Sequence, residues 1–161
     1  DANQGWSLND TIKFYSETKQ IELIEQPLPA KDLAGYLKFP PKIKDVIALD
    51  ESLVNFQDAL KLSSDNYGRI FNIKLMKCGG ITEALKILNV ARSHGLKTMI
   101  GCMSESSVSI SAGASITGII DYVDLDSHYN LDPDPSEGSK MVNGITMTSS
   151  RSGHGAKLKN R

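Results

Sequence analysis

The sequence predicts an α/β protein forming part of a parallel, (β/α)8-type barrel, and two observations carry that reading. Short apolar runs rich in β-branched residues alternate with segments of helical period. Charged residues also recur at the ends of those runs, about once per strand–helix unit. Glu25 follows the first run, Asp50 follows the second and Lys74 lies near the end of the third, at steps of 25 and 24 residues. In such a barrel the C-terminal strand ends converge, so groups one unit apart meet at one point.

Strands are expected at residues 21–24, 46–49, 70–75, 98–101 and 122–125. Apolar runs this short suit parallel strands buried on both faces. Ser7 caps a helix over 8–18, with Asp10 three residues on as in a capping box. Asn55 opens a helix carrying Phe56, Ala59, Leu60 and Leu62. The clearest helix is 81–94, where Ile81, Leu85, Leu88 and Val90 or Ala91 make an apolar stripe and Gly95 follows its end. Residues 106–119 are small and apolar, which suits close packing on a sheet. After Asp126 the character changes: 132–139 reads as a polar linker, 144–148 as an edge strand and 149–161 as loop. The division is therefore a partial barrel domain at 1–131 and a linker with C-terminal tail at 132–161.

Bulk composition excludes several classes. The 161 residues are 40% hydrophobic and 23% charged, with a net charge of −1. No basic cluster is interleaved with aromatics, so nucleic acid is not an expected partner. No apolar run reaches the length that spans a bilayer, and the first residues lack the basic and apolar parts of a signal peptide. Two widely spaced cysteines make no disulfide framework, which favours a cytoplasmic protein. The chain opens without Met on a polar turn, as though cut just after a strand; Asp1 would end that strand.

Three carboxylates, Asp1, Glu25 and Asp50, make an all-oxygen site. That suits Mg²⁺ or Mn²⁺ and not zinc, because no His or Cys falls in the pattern. A lysine near a hard cation has its charged form disfavoured, so its pKa falls toward working pH. A neutral Lys74 would remove a proton α to a carboxylate while the metal stabilises the enediolate, a pattern attested for enolase-type sites. Taken singly, Asp50 is more simply a turn residue, Glu25 a loop residue, and Asp124 and Asp126 as plausibly loop caps as ligands. Lys74 in an apolar strand is harder to explain without function. Lys77 reads as solvent-facing or supporting, Gly79-Gly80 as a tight turn and His128 as a loop residue. Cys78 and Cys102 have no histidine partner in register.

Four motifs together resemble the muconate-lactonising subgroup of the enolase superfamily. They are Asp1-Ala2-Asn3-Gln4-Gly5-Trp6, Ile21-Glu22-Leu23-Ile24-Glu25-Gln26-Pro27, Ile47-Ala48-Leu49-Asp50-Glu51-Ser52, and the stretch from Asn72 through Lys74 and Gly79-Gly80 to Ala84. Their order and one-unit spacing make the set specific. The resemblance implies the C-terminal part of a (β/α)8-type barrel in its modified (β/α)7β form, carrying strands 4–8, with the capping domain and first strands absent. The tail would pack on that capping domain. Asp1, Glu25 and Asp50 would hold Mg²⁺, with Mn²⁺ the alternative, and Lys74 would be a catalytic base. Asp124-Leu125-Asp126 is similar to the Asp-x-Asp of dipeptide epimerases, which holds the substrate α-ammonium by charge-assisted hydrogen bonds. Cys102 and Met103 join that substrate-binding set; Glu51 and Asn72 would support it from behind.

The implied reaction is epimerisation of a dipeptide's C-terminal residue, with L-Ala-D/L-Glu the best-known class. The family's Lys-x-Lys, which bears the opposite-face base, has no counterpart in order; Lys42-Ile43-Lys44 has the letters but precedes the second strand, in a loop. An open half-barrel exposes a sheet edge, so a second copy or a complementing N-terminal segment is an expected partner. Two other readings stay open: an inactive metal- or partner-binding fragment, and an N-acylamino acid racemase or o-succinylbenzoate synthase.

Overall fold

A computed structural model describes residues 1–160. Five parallel strands run in the order β1 (Ile24–Glu25), β2 (Ile47–Leu49), β3 (Ile70–Lys74), β4 (Lys97–Gly101) and β5 (Tyr122–Val123), each pairing with the next. This curled sheet is the half-barrel expected from the alternation. Helix α1 (Leu8–Glu17) precedes β1, and between the strands lie α2 (Leu33–Leu37), α3 (Pro41–Lys44), α4 (Phe56–Ser64), α5 (Leu75–Cys78), α6 (Ile81–Ser93) and α7 (Ser107–Ala114). No helix among the described residues is long and apolar enough to cross a membrane.

Local chemistry starts the helices where the sequence places them. Ser7 Oγ accepts from the Asp10 amide at 3.2 Å, and the Asp10 carboxylate accepts from the Ser7 amide at 2.9 Å. Asn55 and Asp58 form the same reciprocal box on α4. Along α6, Ala84, Ile87, Leu88 and Ala91 are buried at helical spacing. Each fully buried Ile or Leu contributes about 1.5–3 kcal/mol through area removed from water. Gly79 ends α5 at φ 93°, a left-handed conformation that favours glycine, and its amide donates to Leu75 O at 2.9 Å.

Period-two alternation along the strands sorts the two faces of the sheet. Phe71, Ile73, Ile47, Leu49 and Ile100 join the large core beneath the helices. Ala48, Ile70 and Met99 form a smaller separate cluster on the other face, with Leu23 and Tyr122 against it. On β3, Asn72 and Lys74 fall in register with Ile70. The apolar floor of the concave face thus passes into polar residues toward the strands' C-terminal ends.

Several boundaries differ from the sequence reading. Of the first run, 21–24, only Ile24 pairs, and the strand extends instead to Glu25, because β2 meets it at Ile24↔Ile47 and Glu25↔Ala48. Leu75 leaves the third strand to start α5. The helix expected over 106–119 stops at Ala114, whose carbonyl accepts the Thr117 hydroxyl at 3.0 Å, and a single 3-10 turn follows at Thr117–Ile119. Lys42-Ile43-Lys44 lies in α3 and not in a loop, since Pro41 at the first helical position favours that turn. The tail holds two small pairings. β6 (Ser136–Glu137) pairs with β9 (Lys157–Leu158), and β7 (Lys140–Val142) forms a hairpin with β8 (Ile145–Met147). Asn143-Gly144, at φ 51° and 79°, makes its two-residue turn.

The segment before β6 is fastened to α7. The Asp134 carboxylate accepts from the Ser107 amide at 3.0 Å and the Ser136 amide at 2.9 Å, and from both hydroxyls. Burial alone would raise its pKa, but these hydrogen bonds outweigh that and hold the carboxyl down to about 2. A depressed folded pKa contributes stability that is fully present above the ordinary value of 3.8 and is lost as pH falls toward about 2. Asp134→Ala should cost about 1 kcal/mol at neutral pH, the usual worth of a cap. The difference in melting temperature from wild type should shrink across that acid window; a gap constant down to pH 2 would refute the assignment.

Candidate active site

Lys74 ends β3, and its partner across β4 is Gly101. A Cβ at position 101 would lie 2.6 Å from Asn72 Oδ1 and 3.0 Å from Lys74 Cε, so glycine makes room for both side chains. The Lys74 ammonium donates to Asp50 Oδ2 at 2.6 Å and lies 3.4 Å from Glu25 Oε1. The Asn72 side-chain Nδ2 donates to the same Glu25 oxygen at 2.7 Å. Four residues from three adjacent strand ends thus form one cluster, and each is at least nine-tenths buried. Burying charge so deeply is costly unless the charges are paired, and these are.

Lys77 completes the cluster. Its ammonium bonds the other Asp50 oxygen, Oδ1, and the Asp50 carbonyl at 2.6 Å. Of the two readings of Lys77, solvent-facing or supporting, the structure shows the second. The chain turns helical at Leu75, and that turn swings Lys77 back over the end of β2. The signal in the sequence was the i, i+3 spacing from Lys74 across a strand-to-helix junction, which an extended reading of 70–75 hides.

Each group carries a shift with a physical cause. Burial pushes the Glu25 carboxyl up, aided by Asp50 and opposed by Lys74. Burial also raises Asp50, but Lys77 and Lys74 together outweigh it and leave this carboxyl below the usual range. For Lys74, burial favours the neutral amine, yet Asp50 and Glu25 overcome it and hold the ammonium above its ordinary value. Asp50 is thus compensated by both lysines, and Glu25 by Lys74. Lys77 is pushed down by burial despite Asp50.

The Asp1 segment docks alongside β1, with the Ala2 amide donating to Glu25 O and the Trp6 amide to Pro27 O, both at 3.0 Å. Its carboxylate, however, turns back to the Asn3 amide and side chain, each at 2.7 Å. Among the described residues no group of three or more His, Cys, Asp or Glu side chains lies close enough to hold a metal ion. The structure thus brings Glu25 and Asp50 together at Lys74 and leaves the Asp1 carboxylate aside.

A pocket of about 390 Å³ opens over the cluster, shared by Asp1, Asp50, Lys74, Asp124 and Asp126 and walled by Cys102 and Met103. Asp124 is held above the usual carboxylate range by burial and then by Asp126. Glu51 reaches the pocket with a buried Oε2 that has no hydrogen-bond partner. The carboxylates Asp1, Glu25 and Asp50 are an all-oxygen donor set, the chemistry that suits a hard cation. His128 is buried on a short 3-10 turn, its ring tilted against Tyr129, and does not line this pocket.

Comparison with known proteins points the same way. The family profile described as Enolase C-terminal domain-like matches residues 1–161. A hydrophobic dipeptide epimerase from Flavobacteria bacterium (strain MS024-2A) is 51% identical over 99% of this chain and 46% of its own length. One from Roseobacter litoralis is 50% identical over 98% and 46%. The crystal structure of a dipeptide epimerase from Methylococcus capsulatus, complexed with Mg and the dipeptide L-Arg-D-Lys, superposes with a TM-score of 0.90. It is 35% identical, over 96% of this chain and 46% of that one. The chain spans about half the length of the relatives it matches.

Proposed function

We propose that this chain, which belongs to the enolase C-terminal domain-like family, supplies one face of the active site of a Mg²⁺-dependent dipeptide epimerase. The observation that carries the reading is the Lys74 ammonium, buried at a strand end between Asp50 and Glu25 and opening on a pocket that also holds Asp124 and Asp126.

In this reading Lys74 would act as the neutral amine, its ammonium proton released to solvent once a bound cation takes up the charge of Asp50 and Glu25, and Nζ would then take the proton α to the substrate's terminal carboxylate. Lys77 keeps a positive charge at Asp50 while Lys74 changes protonation state. Asp124 and Asp126 bind the substrate α-ammonium through charge-assisted hydrogen bonds and so fix which α-carbon meets Lys74. Asp1, Glu25 and Asp50 would hold Mg²⁺, or Mn²⁺ in its place; the Asp1 carboxylate would leave Asn3 to do so. The bound ion would supply positive charge for the carboxylate next to the reacting carbon. The proton returned to the opposite face would come from a group outside this chain.

A hydrophobic dipeptide is the favoured substrate, because the two relatives at half identity carry that description. The half-exposed Met103 and neighbouring Cys102 give the pocket an apolar wall suited to it. The same reading takes 1–131 as barrel and 132–161 as a tail toward a capping domain, with a second copy or an N-terminal segment covering the open sheet. Two unpaired cysteines support a cytoplasmic setting.

The test is incubation with Mg²⁺ and a hydrophobic dipeptide in D₂O, following the α-proton by NMR. Exchange of one epimer supports the reading. Its absence would favour an inactive binding fragment. Asp124→Asn and Asp126→Asn should each cut dipeptide exchange at least tenfold, from loss of a charge-assisted contact. Equal activity on an N-acylamino acid, unaffected by either change, would replace the dipeptide by that substrate class.

A further inference from the structure

Gln26 is fully buried and sits at φ 35°, a left-handed conformation that a side-chain-bearing residue rarely adopts. Its amide donates to Ala48 O at 2.8 Å and continues the parallel ladder between β1 and β2. The next rung of that ladder would run from the Asp50 amide to the Gln26 carbonyl. Instead the Asp50 amide donates to the side-chain oxygen of Gln26 at 2.8 Å, as does the Ser52 amide at 3.2 Å. The displaced backbone carbonyl accepts from the Gln4 amide at 2.7 Å, in the turn that carries Asp1. The side-chain nitrogen donates to the Tyr36 hydroxyl at 2.8 Å and Ser52 Oγ at 2.7 Å.

One residue therefore replaces its own main-chain rung with a side-chain copy and uses the freed carbonyl to catch a third segment. We propose that Gln26 is a positioning residue that ties the Asp1 turn, the end of β1 at Glu25 and the end of β2 at Asp50 into one frame. In a regular strand the carbonyl at this position would serve the Asp50 amide; here it serves Gln4, and the side-chain oxygen serves Asp50. Backbone held in a sparsely populated region persists where its surroundings over-determine it, and here bonds converge on Gln26 from three segments, the Gln4 turn, residues 48–52 and α2.

The proposal rests on the metal-site reading, and the test separates the two. Gln26→Met keeps the side chain's size and removes both amide functions. Tyr36→Phe removes a buried tie to the same amide but leaves the bond to Asp50. Mn²⁺ binding to the whole chain is measured by calorimetry beside each variant's melting temperature. Gln26→Met should weaken Mn²⁺ at least tenfold, and Tyr36→Phe less than twofold, even where both lower the melting temperature. Equal weakening by the two variants, or none, overturns the proposal. If wild type binds no Mn²⁺ the metal reading fails, and the positioning role is read without metal from the Lys74 ammonium NMR signal. That signal should be protected from exchange in wild type and Tyr36→Phe and lost in Gln26→Met; its survival in Gln26→Met overturns the role.

Discussion

Lys74→Met should lower α-proton exchange of a dipeptide in D₂O by about 10²–10⁴-fold, the usual contribution of a positioned general base. Methionine matches the aliphatic stem, so the apolar contacts of β3 survive while the proton acceptor is lost. The fold should survive as well, since Asp50 retains Lys77 on its other oxygen. Glu25, already pushed up by burial and now without its ammonium neighbour, should take up a proton more readily. The variant should still bind the dipeptide through Asp124 and Asp126. Exchange within threefold of wild type would remove Lys74 from the chemistry.

Asp50→Asn should have the largest effect on stability. It leaves Lys74 facing Glu25 alone at 3.4 Å and Lys77 facing only carbonyl groups and a neutral amide. Removing one partner from a buried ionic cluster costs about 3–5 kcal/mol, because the stranded charges stay buried. For a domain of this size that is a fall in melting temperature of roughly 10 °C. The Asp50 carboxyl lies below its ordinary range through Lys77 and Lys74, against the effect of burial. Its stabilising contribution is therefore fully present above the ordinary value of 3.8 and is lost as pH falls below it. Wild type and Asp50→Asn should converge in strong acid. Adding Lys77→Met to Asp50→Asn should recover part of the loss, since an unpaired buried ammonium is then gone. A double variant no better than the single would show that Lys77 contributes nothing through Asp50.

Much of this was legible because it is local. Ser7 with Asp10 and Asn55 with Asp58 announce their helices, since a cap is a contact between residues three apart. The charged residues at strand ends declare their common rim through spacing alone, as one βα unit fixes the step between neighbouring strands. Two short helices, α2 and α3, escaped notice because each is about one turn long, too short for a periodic stripe. The hairpin at Asn143-Gly144 was half seen: its second strand was expected, but its turn dipeptide was not used.

By itself the sequence determined the half-barrel, the order of its strands and the residue types available at its open end. Those follow from hydrophobic period, turn chemistry and unit length, all of which act along the chain. Tertiary structure alone decided how those residues use one another. It gave Asp50 two lysines and let the Gln26 side chain stand in for a rung of main chain. The physical reason is that charge compensation and hydrogen-bond saturation are settled among neighbours across strands, twenty or more residues apart in sequence, where no local pattern reaches.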